Sequence, residues 1–584
     1  PKDLQYFLQS SDEILEHYIQ EKKYNQALQL ATKTLAIANK YKSKHHQMMG
    51  YSSISKIKYQ LKDYPNALKN IELALKYIDL ENFSSSKFTL KTTRADLNII
   101  LNNHRAAVKD VKENLENLVF ELSKKRKPLE KIEFKDVKEI VSLNFIKVFT
   151  KSGEVYLKNY KATKNKKDLI QAEKLYIIAS KLFFEYYQKG EYNETLNEYH
   201  SEIIEGLLST ATEKKLSKAE IIEYINTIEE NSSQHLFKEY LKKAYKSDNA
   251  NLRTASQIKD LEGELNYYKN LVIIDKDLVA KNNQKILTLE AKINKLLEST
   301  SETYRAIREI SVLNFDVNEV LENLKNDESI LKYYIGNEHV YVLNLSKNKL
   351  EIKKLGLVST LRPQMEAFLS KTKNINADYQ ANSMALCKDL GISSSTLKIS
   401  IIPEGFLSYL PFESLIDPQS KQFIVLKNQL SYHYSLSIWL FNQQNNIDIS
   451  NKKLIAFSPQ YNQSEVSLVR AGFADLKFAR EEATAIASMF GGESVKNQEA
   501  TKARFLSSID KYGIFHFSMH SQLFEDDFNK SCLVFSNNEK LFFSELYSLN
   551  FPAKMAVLSA CDTGNGVLKS GEGIMSISRA LTYA

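Results

Sequence analysis

The sequence predicts an all-helical repeat region that leads through long coiled-coil-like helices into an α/β domain with a mainly parallel sheet. Three patterns carry this expectation. Small and apolar residues recur every 40 positions near the start; aliphatic residues recur every seven from 258 to 293; short apolar runs alternate with amphipathic stretches after residue 300. The 584 residues also exceed the ~250–300 at which one hydrophobic core stops growing, so several domains are expected.

The first pattern aligns Tyr24-Asn25-Gln26-Ala27-Leu28 with Tyr64-Pro65-Asn66-Ala67-Leu68 and with His104-Arg105-Ala106-Ala107-Val108. Ala27, Ala67 and Ala107 hold one register, Leu35, Leu75 and Leu115 a second, and Ala31, Ile71 and Val111 fall between them. A small residue four positions before an apolar one lets two helices approach closely. Ala172, Tyr176 and Ala179 read as a fourth copy, out of register. The pattern resembles the second helix of tetratricopeptide (TPR) repeats, with a period of 40 rather than the usual 34 or so. Residues 1–245 are therefore expected to form a TPR-like superhelix with a concave binding face.

The second pattern places Ile258, Leu265, Val272, Val279, Ile286 and Ile293 seven apart, with companions at Leu261, Tyr268, Asp275, Asn282, Leu289 and Leu296. The polar break at Asp275 and Asn282 suits a bend or the tip of a helical hairpin. A linker helix over residues 246–300, packed on its own protein, is favoured over an intermolecular coiled coil.

From residue 301 strands are expected at 340–345, 397–402, 454–457, 514–518, 533–536 and 555–559, with helices at 479–490 and 502–509 between them. Short apolar strands interleaved with helices read as a layered, mainly parallel sheet. Pro403-Glu404-Gly405 punctuates one turn.

Composition narrows the partners. Lys and Arg number 79 against 71 Asp and Glu, a net charge of +8 with no long basic block. The short strings 123–127 and 164–167 read as solvated loops, so no direct nucleic-acid contact is expected. No apolar run approaches the ~20 residues that span a bilayer, and no membrane association is expected. No signal peptide is visible, although the first residue is Pro1 rather than Met. Cys387, Cys532 and Cys561 cannot all pair with one another, and their spacing matches no zinc site. Free thiols fit a reducing compartment, which points to the cytoplasm.

Two expected strands end in reactive residues. The 514–518 run leads into Met519-His520-Ser521, and the 555–559 run into Ala560-Cys561-Asp562-Thr563-Gly564. Sites in open α/β sheets form beyond the carboxyl ends of strands, so neighbouring strands would bring His520 and Cys561 to one rim. A thiolate nucleophile beside an imidazole that accepts and returns its proton is the constellation of Cys–His hydrolysis. Gly564, Gly566, Gly571 and Gly573 follow the cysteine and would let a substrate approach backbone N–H donors for an oxyanion. On spacing alone a buried packing cysteine and a structural histidine explain the same residues.

Residues 300–584 resemble the CHAT family, proteases of the caspase–separase clan that usually follow TPR repeats. The resemblance rests on Phe515-His516-Phe517-Ser518-Met519-His520, then Ser531-Cys532-Leu533-Val534-Phe535, then Leu558-Ser559-Ala560-Cys561-Asp562-Thr563-Gly564. Earlier landmarks agree: Leu331-Lys332-Tyr333-Tyr334-Ile335-Gly336, Ile401-Ile402-Pro403-Glu404-Gly405, Leu410-Pro411-Phe412-Glu413-Ser414-Leu415, Arg480-Glu481-Glu482-Ala483 and Ala500-Thr501.

The resemblance implies that His520 and Cys561 are catalytic, that His516 is structural, and that Cys387 and Cys532 pack in cores. Ser521 stands where members often carry Gly or Ala, and with Asp562 and Gly564 it is expected to shape the oxyanion and substrate loop. The family continues with a further core strand, whereas this sequence stops at Ala584 inside an expected helix at 573–584; the protease domain, 301–584, is read as truncated at its C-terminus. Glu525, Asp526, Asp527 and Asp562 could favour a basic side chain at the scissile position, or form a solvated acidic loop. The implied function is a regulated cysteine endopeptidase that cleaves a protein substrate, with a regulator or substrate bound by the repeats and with neither metal nor cofactor. The alternative is an inactive scaffold that uses the repeats for protein–protein interaction, which would need neither His520 nor Cys561.

Overall fold

The computed structural model describes residues 11, 13–78, 85–189, 194–231, 315–374, 378–392, 396–444, 453–461, 473–524, 530–546, 549, 551–560, 567–569 and 573–583, with a few positions between 261 and 292. The seven-residue repeat falls almost wholly outside them. The chain forms two compact units. One comprises residues 1–231, 331–393 and 416–421, the other 232–330, 394–415 and 422–584.

In the first unit, short turns join the helices Tyr24–Lys40, Lys44–Gln60 and Tyr64–Lys76, and another joins Ser85–Ile100 to His104–Ser123. The turns repeat one device. Lys22, Lys42, Lys62 and Asn102 all have φ between 55° and 63°. After each, the next residue's N–H reaches back five residues, as from Ser43 to the Ala38 carbonyl (3.1 Å) and from Asp63 to that of Lys58 (2.9 Å). These are Schellman caps, which satisfy the orphan carbonyls at a helix end. The small residues sit where the 40-residue register puts them. Ala27, Ala67 and Ala107 are fully buried, as are Ala31 and Val111. Ala67 lies in a cluster with Met48, Ile71, Ala74, Leu90 and Leu97, and its carbonyl accepts the Ser55 hydroxyl at 2.8 Å. Ala172, Tyr176 and Ala179 of the helix Lys166–Lys189 are buried as well.

Strands β1 (Glu328–Ile335), β2 (His339–Ser346) and β3 (Leu350–Leu357) are successive neighbours, with β2 and β3 antiparallel. The first unit's last two helices, Glu194–Thr212 and Lys218–Asn231, grip this hairpin sheet. The Glu205 carboxylate accepts the backbone N–H groups of Asn337 (2.6 Å), Glu338 (3.1 Å) and His339 (3.1 Å) at the β1–β2 turn. Gly336 leaves room there for the Glu205 carboxylate, since a Cβ would lie 2.4 Å from its carboxyl carbon. Ser209 bonds the Tyr341 hydroxyl at 2.7 Å. Lys332 and Glu229 form a buried ion pair that also takes the Tyr334 hydroxyl (2.6 Å to Glu229).

In the second unit β4 (Lys398–Ile402) and β5 (Gln429–Tyr432) run parallel. A four-stranded sheet follows from β6 (Leu454–Pro459), β7 (Glu493–Asn497), β8 (Ile514–Ser518) and β12 (Met555–Ser559), in the order β12-β8-β6-β7 and parallel throughout. Its two faces differ because side chains alternate along a strand. Phe457, Phe515, Phe517 and Met519 face a core with Phe505, Phe535, Phe551 and Ile577. Leu454 and Ala456 face the helix Ala479–Met489, where Ala483 and Ala487 allow close approach. Beside this sheet β9 (His520–Gln522), β10 (Cys532–Val534) and β11 (Lys540–Phe542) form an antiparallel sheet with β10 central. β13 (Val567–Lys569) and β14 (Gly573–Met575) make a small hairpin.

The fold class stands: helices precede an α/β region whose main sheet is parallel. Three local expectations are corrected. The strand expected at 533–536 ends at Val534, because Ser536 opens a 3-10 turn that needs Asn537 in the left-handed region (φ 59°). The helix expected to 509 stops at Leu506. The segment 573–584 starts as β14, paired to β13, and turns helical only at Ile577–Tyr583.

Candidate active site

β8 and β12 are neighbours, aligned Phe517 to Leu558 and Ser518 to Ser559. The odd positions Phe515 and Phe517 point into the aromatic core, where Ala556 and Leu558 of β12 join them. By alternation His516, Ser518, Val557 and Ser559 fall on the face of the helix Ala479–Met489. His516 is buried there, its Nε2 lying 3.1 Å from Glu482 Oε1 and 3.0 Å from Ser518 Oγ. A carboxylate only accepts, so Nε2 carries the hydrogen. Burial alone would raise the pKa of the Glu482 carboxyl, but the nearby hydroxyls of Ser559 and Ser518 and the adjacent His516 outweigh burial and hold it below the usual glutamate range.

Past the end of β8, His520 begins β9. Its backbone N–H donates to Tyr461 Oη (3.0 Å), and the Tyr461 hydroxyl donates to the Val534 carbonyl (2.7 Å). Burial pushes the Tyr461 phenol up, so it stays a neutral donor. The imidazole packs between Tyr461, at 4.8 Å between ring centres, and Phe473, at 5.1 Å. Its Nε2 lies 2.7 Å from the Ala474 carbonyl. A carbonyl oxygen can only accept, so this bond puts the hydrogen on Nε2 and leaves Nδ1 as the basic nitrogen of the neutral ring. Among the described residues Nδ1 has no hydrogen-bond partner.

The Ala474 segment is itself held. Asp475 forms a two-point ion pair with Arg480 (2.9 and 2.6 Å) and accepts the Tyr461 backbone N–H at 3.4 Å. Arg480 hydrogen bonding keeps the Asp475 carboxyl below its ordinary range.

Of the other residues singled out in the sequence, Ser521 lies on β9 opposite Leu533 of β10. Cys532 and Cys387 are buried free thiols. Burial pushes the Cys387 thiol up to about 12, with the Asp417 charge adding, and raises that of Cys532 too. Both are poor nucleophiles. Cys561, Asp562 and Gly564, and the acidic run Glu525, Asp526 and Asp527, lie outside the described residues. Tyr461, Phe473 and Asp475 were missed in the sequence. Tyr461 follows Pro459-Gln460 at the end of β6, and strand-end position is the one signal that could have flagged it.

A histidine just past one strand of a parallel sheet, with a cysteine two residues past its neighbour in the chain, is the layout of a caspase-like α/β domain. Residues 379–584 match the CHAT domain family, and the chain carries a CHAT domain there. No curated protein matches the chain. Among the described residues no helix is long and apolar enough to cross a membrane.

Proposed function

We propose that the chain is a cysteine endopeptidase that works through Cys561 and His520. One observation carries the reading: β8 and β12 are adjacent, parallel and aligned at Ser518 and Ser559, and each is followed two residues later by one member of the pair. In this reading Nδ1 of His520 takes the thiol proton of Cys561, and the thiolate attacks the scissile carbonyl carbon. Backbone N–H groups of the Ser521 and Asp562–Gly564 segments receive the oxyanion. The imidazolium then returns its proton to the leaving amine as the C–N bond breaks. Water, deprotonated by the same ring, hydrolyses the thioester and frees the thiol. The Nε2–H bond to Ala474 supports this division of labour, because it orients the ring and keeps Nδ1 available.

The repeat helices serve as a TPR-like receptor for a protein regulator or substrate, and the enzyme works in the reducing cytoplasm. Glu525, Asp526, Asp527 and Asp562 select a basic side chain at the scissile position; a peptide library cleaved after Asp or after apolar residues would discard that assignment. The test of the whole reading is Cys561→Ala in the full chain. It should abolish cleavage with folding unchanged, and His520→Ala should do nearly the same, because residues acting as one unit are not additive. Retained cleavage in Cys561→Ala would overturn Cys561 as the nucleophile, and a parent chain that cleaves nothing would leave the scaffold reading in its place.

A further inference from the structure

We propose that the charged face of the helix Leu143–Thr163 is a docking surface for an acidic, extended segment of a protein partner, whose carboxylates pair with Lys147 and Lys161. The inference rests on the receptor reading of the repeat helices and names the chemistry of what they receive. At about 100° per residue, Lys147, Lys151, Glu154, Lys158 and Lys161 fall on one stripe of this helix, while Phe145, Phe149 and Tyr156 are buried on the opposite side. The stripe therefore holds four cations and one anion.

The middle of the stripe is closed by ion pairs. Lys151 pairs with Glu154 at 3.0 Å and with Glu202 of the helix Glu194–Thr212 at 3.2 Å. Lys158 pairs with the same Glu154 at 2.6 Å and with Asp96 of the helix Ser85–Ile100 at 3.6 Å. The two ends are open. Lys147 and Lys161 are exposed, and among the described residues neither makes a hydrogen bond or an ion pair. Crowding by neighbouring atoms strips water from Lys147 and, with the charges of Lys56 and Lys151 adding, holds its ammonium below the usual lysine range. An anion brought to that position relieves the repulsion. Lys161 stands 14 residues after Lys147, which is about 21 Å along the helix axis. An extended chain covers that span in about six or seven residues. A protein segment fits better than a nucleic acid, because Glu154 lies on the stripe between the open cations and Glu202 lies beside it. A phosphate backbone, charged at every nucleotide, would be repelled there, whereas separated carboxylates pass over them.

The experiment measures binding of a fluorescein-labelled peptide, with two glutamates at each end of a short Ser/Gly spacer, to the intact chain by anisotropy at low and physiological salt. The parent should bind, and more weakly as salt rises. Lys147→Gln and Lys161→Gln should each weaken binding about threefold, the scale of one exposed ion pair, and the double variant about tenfold, since sites so far apart add. Reversal at both positions, Lys147→Glu with Lys161→Glu, should abolish binding of this peptide and create binding of its counterpart with lysines in place of the glutamates. Lys109→Gln, at an exposed position on the helix His104–Ser123, is the control and should change nothing. No binding by the parent, equal binding by the parent and the double variant, or a single-stranded DNA that binds the parent and is lost on the same substitutions overturns the surface. None of these results touches the receptor reading, which is decided separately by whether a docked protein changes cleavage.

Discussion

At the scale of single residues, environment separates chemically identical groups. Cys387 and Cys532 sit in cores that disfavour a thiolate, whereas Cys561 follows a strand end in the chain. His516 is buried and bonded to Glu482, while His520 stands at the rim with one ring nitrogen committed to a carbonyl. His516→Ala and Cys532→Ala should therefore act on stability and leave the chemistry in place, measurable as a lowered urea midpoint with cleavage per folded molecule unchanged. His200 shows the same control elsewhere. It stacks on Phe183 at 5.3 Å, and among the described residues its buried Nε2 has no hydrogen-bond partner. Burial, with the Lys332 charge adding, pushes its imidazole from 6.5 down to about 4. The folded ring stays neutral where the unfolded one takes a proton. Its contribution to stability is thus whole above about pH 6.5 and is lost as pH falls toward 4. His200→Phe should flatten that part of the acid dependence in urea titrations at pH 7 and pH 5; a parent-like fall in the variant would contradict this. The structural places of His516, Cys387 and Cys532 were implied by the family resemblance, and all three are buried. The pairing of Asp475 with Arg480 was not legible, since an ion pair across a loop leaves no periodic trace.

At the scale of elements, the repeats were readable because a helix that packs tightly must place a small residue at each crossing. Ala27, Ala67 and Ala107 do so at full burial. Replacing Ala67 with Leu should force Met48, Leu90 and Leu97 apart and cost about 1–3 kcal/mol, seen as a lower thermal or urea midpoint; an unchanged midpoint would show that the site has room. The turns were less legible. Lys22, Lys42, Lys62 and Asn102 occupy a conformation that favours glycine, and none is glycine, so the helix stops carried no composition signal. Strand positions were read to within a residue or two for β2, β4, β6, β8 and β12, each of which carries a short apolar run. β13 and β14 were missed because three-residue strands hold too few side chains to show a period.

At the scale of the whole molecule, the sequence suggested a clean boundary near residue 300 between receptor and protease. The contacts instead group residues 331–393 with the repeat helices. Glu205 and Glu229, on the last two of those helices, hold the β1–β2 turn and Lys332 of β1. No apolar period reports such a grip, because it is made by carboxylates reaching backbone and lysine. Removing the helices would strip β1–β3 of partners, so control by a docked protein is best tested in the intact chain. Glu229→Ala removes the carboxylate that pairs with buried Lys332 and should cost about 3–5 kcal/mol. The double change Glu229→Leu with Lys332→Met should recover most of that loss in the same urea titration; no recovery would mean that the pair is not the source. The central claim, that Cys561 and His520 act as one unit on this rim, is tested most directly by a crystal structure of the chain with a thiol-reactive peptide bound. The account predicts the peptide bonded to the Cys561 sulfur, with Nδ1 of His520 on the same side of the sheet and within about 4 Å of the reacting atoms. A sulfur and an imidazole on opposite faces of the sheet, or a peptide on Cys387 or Cys532, would contradict it.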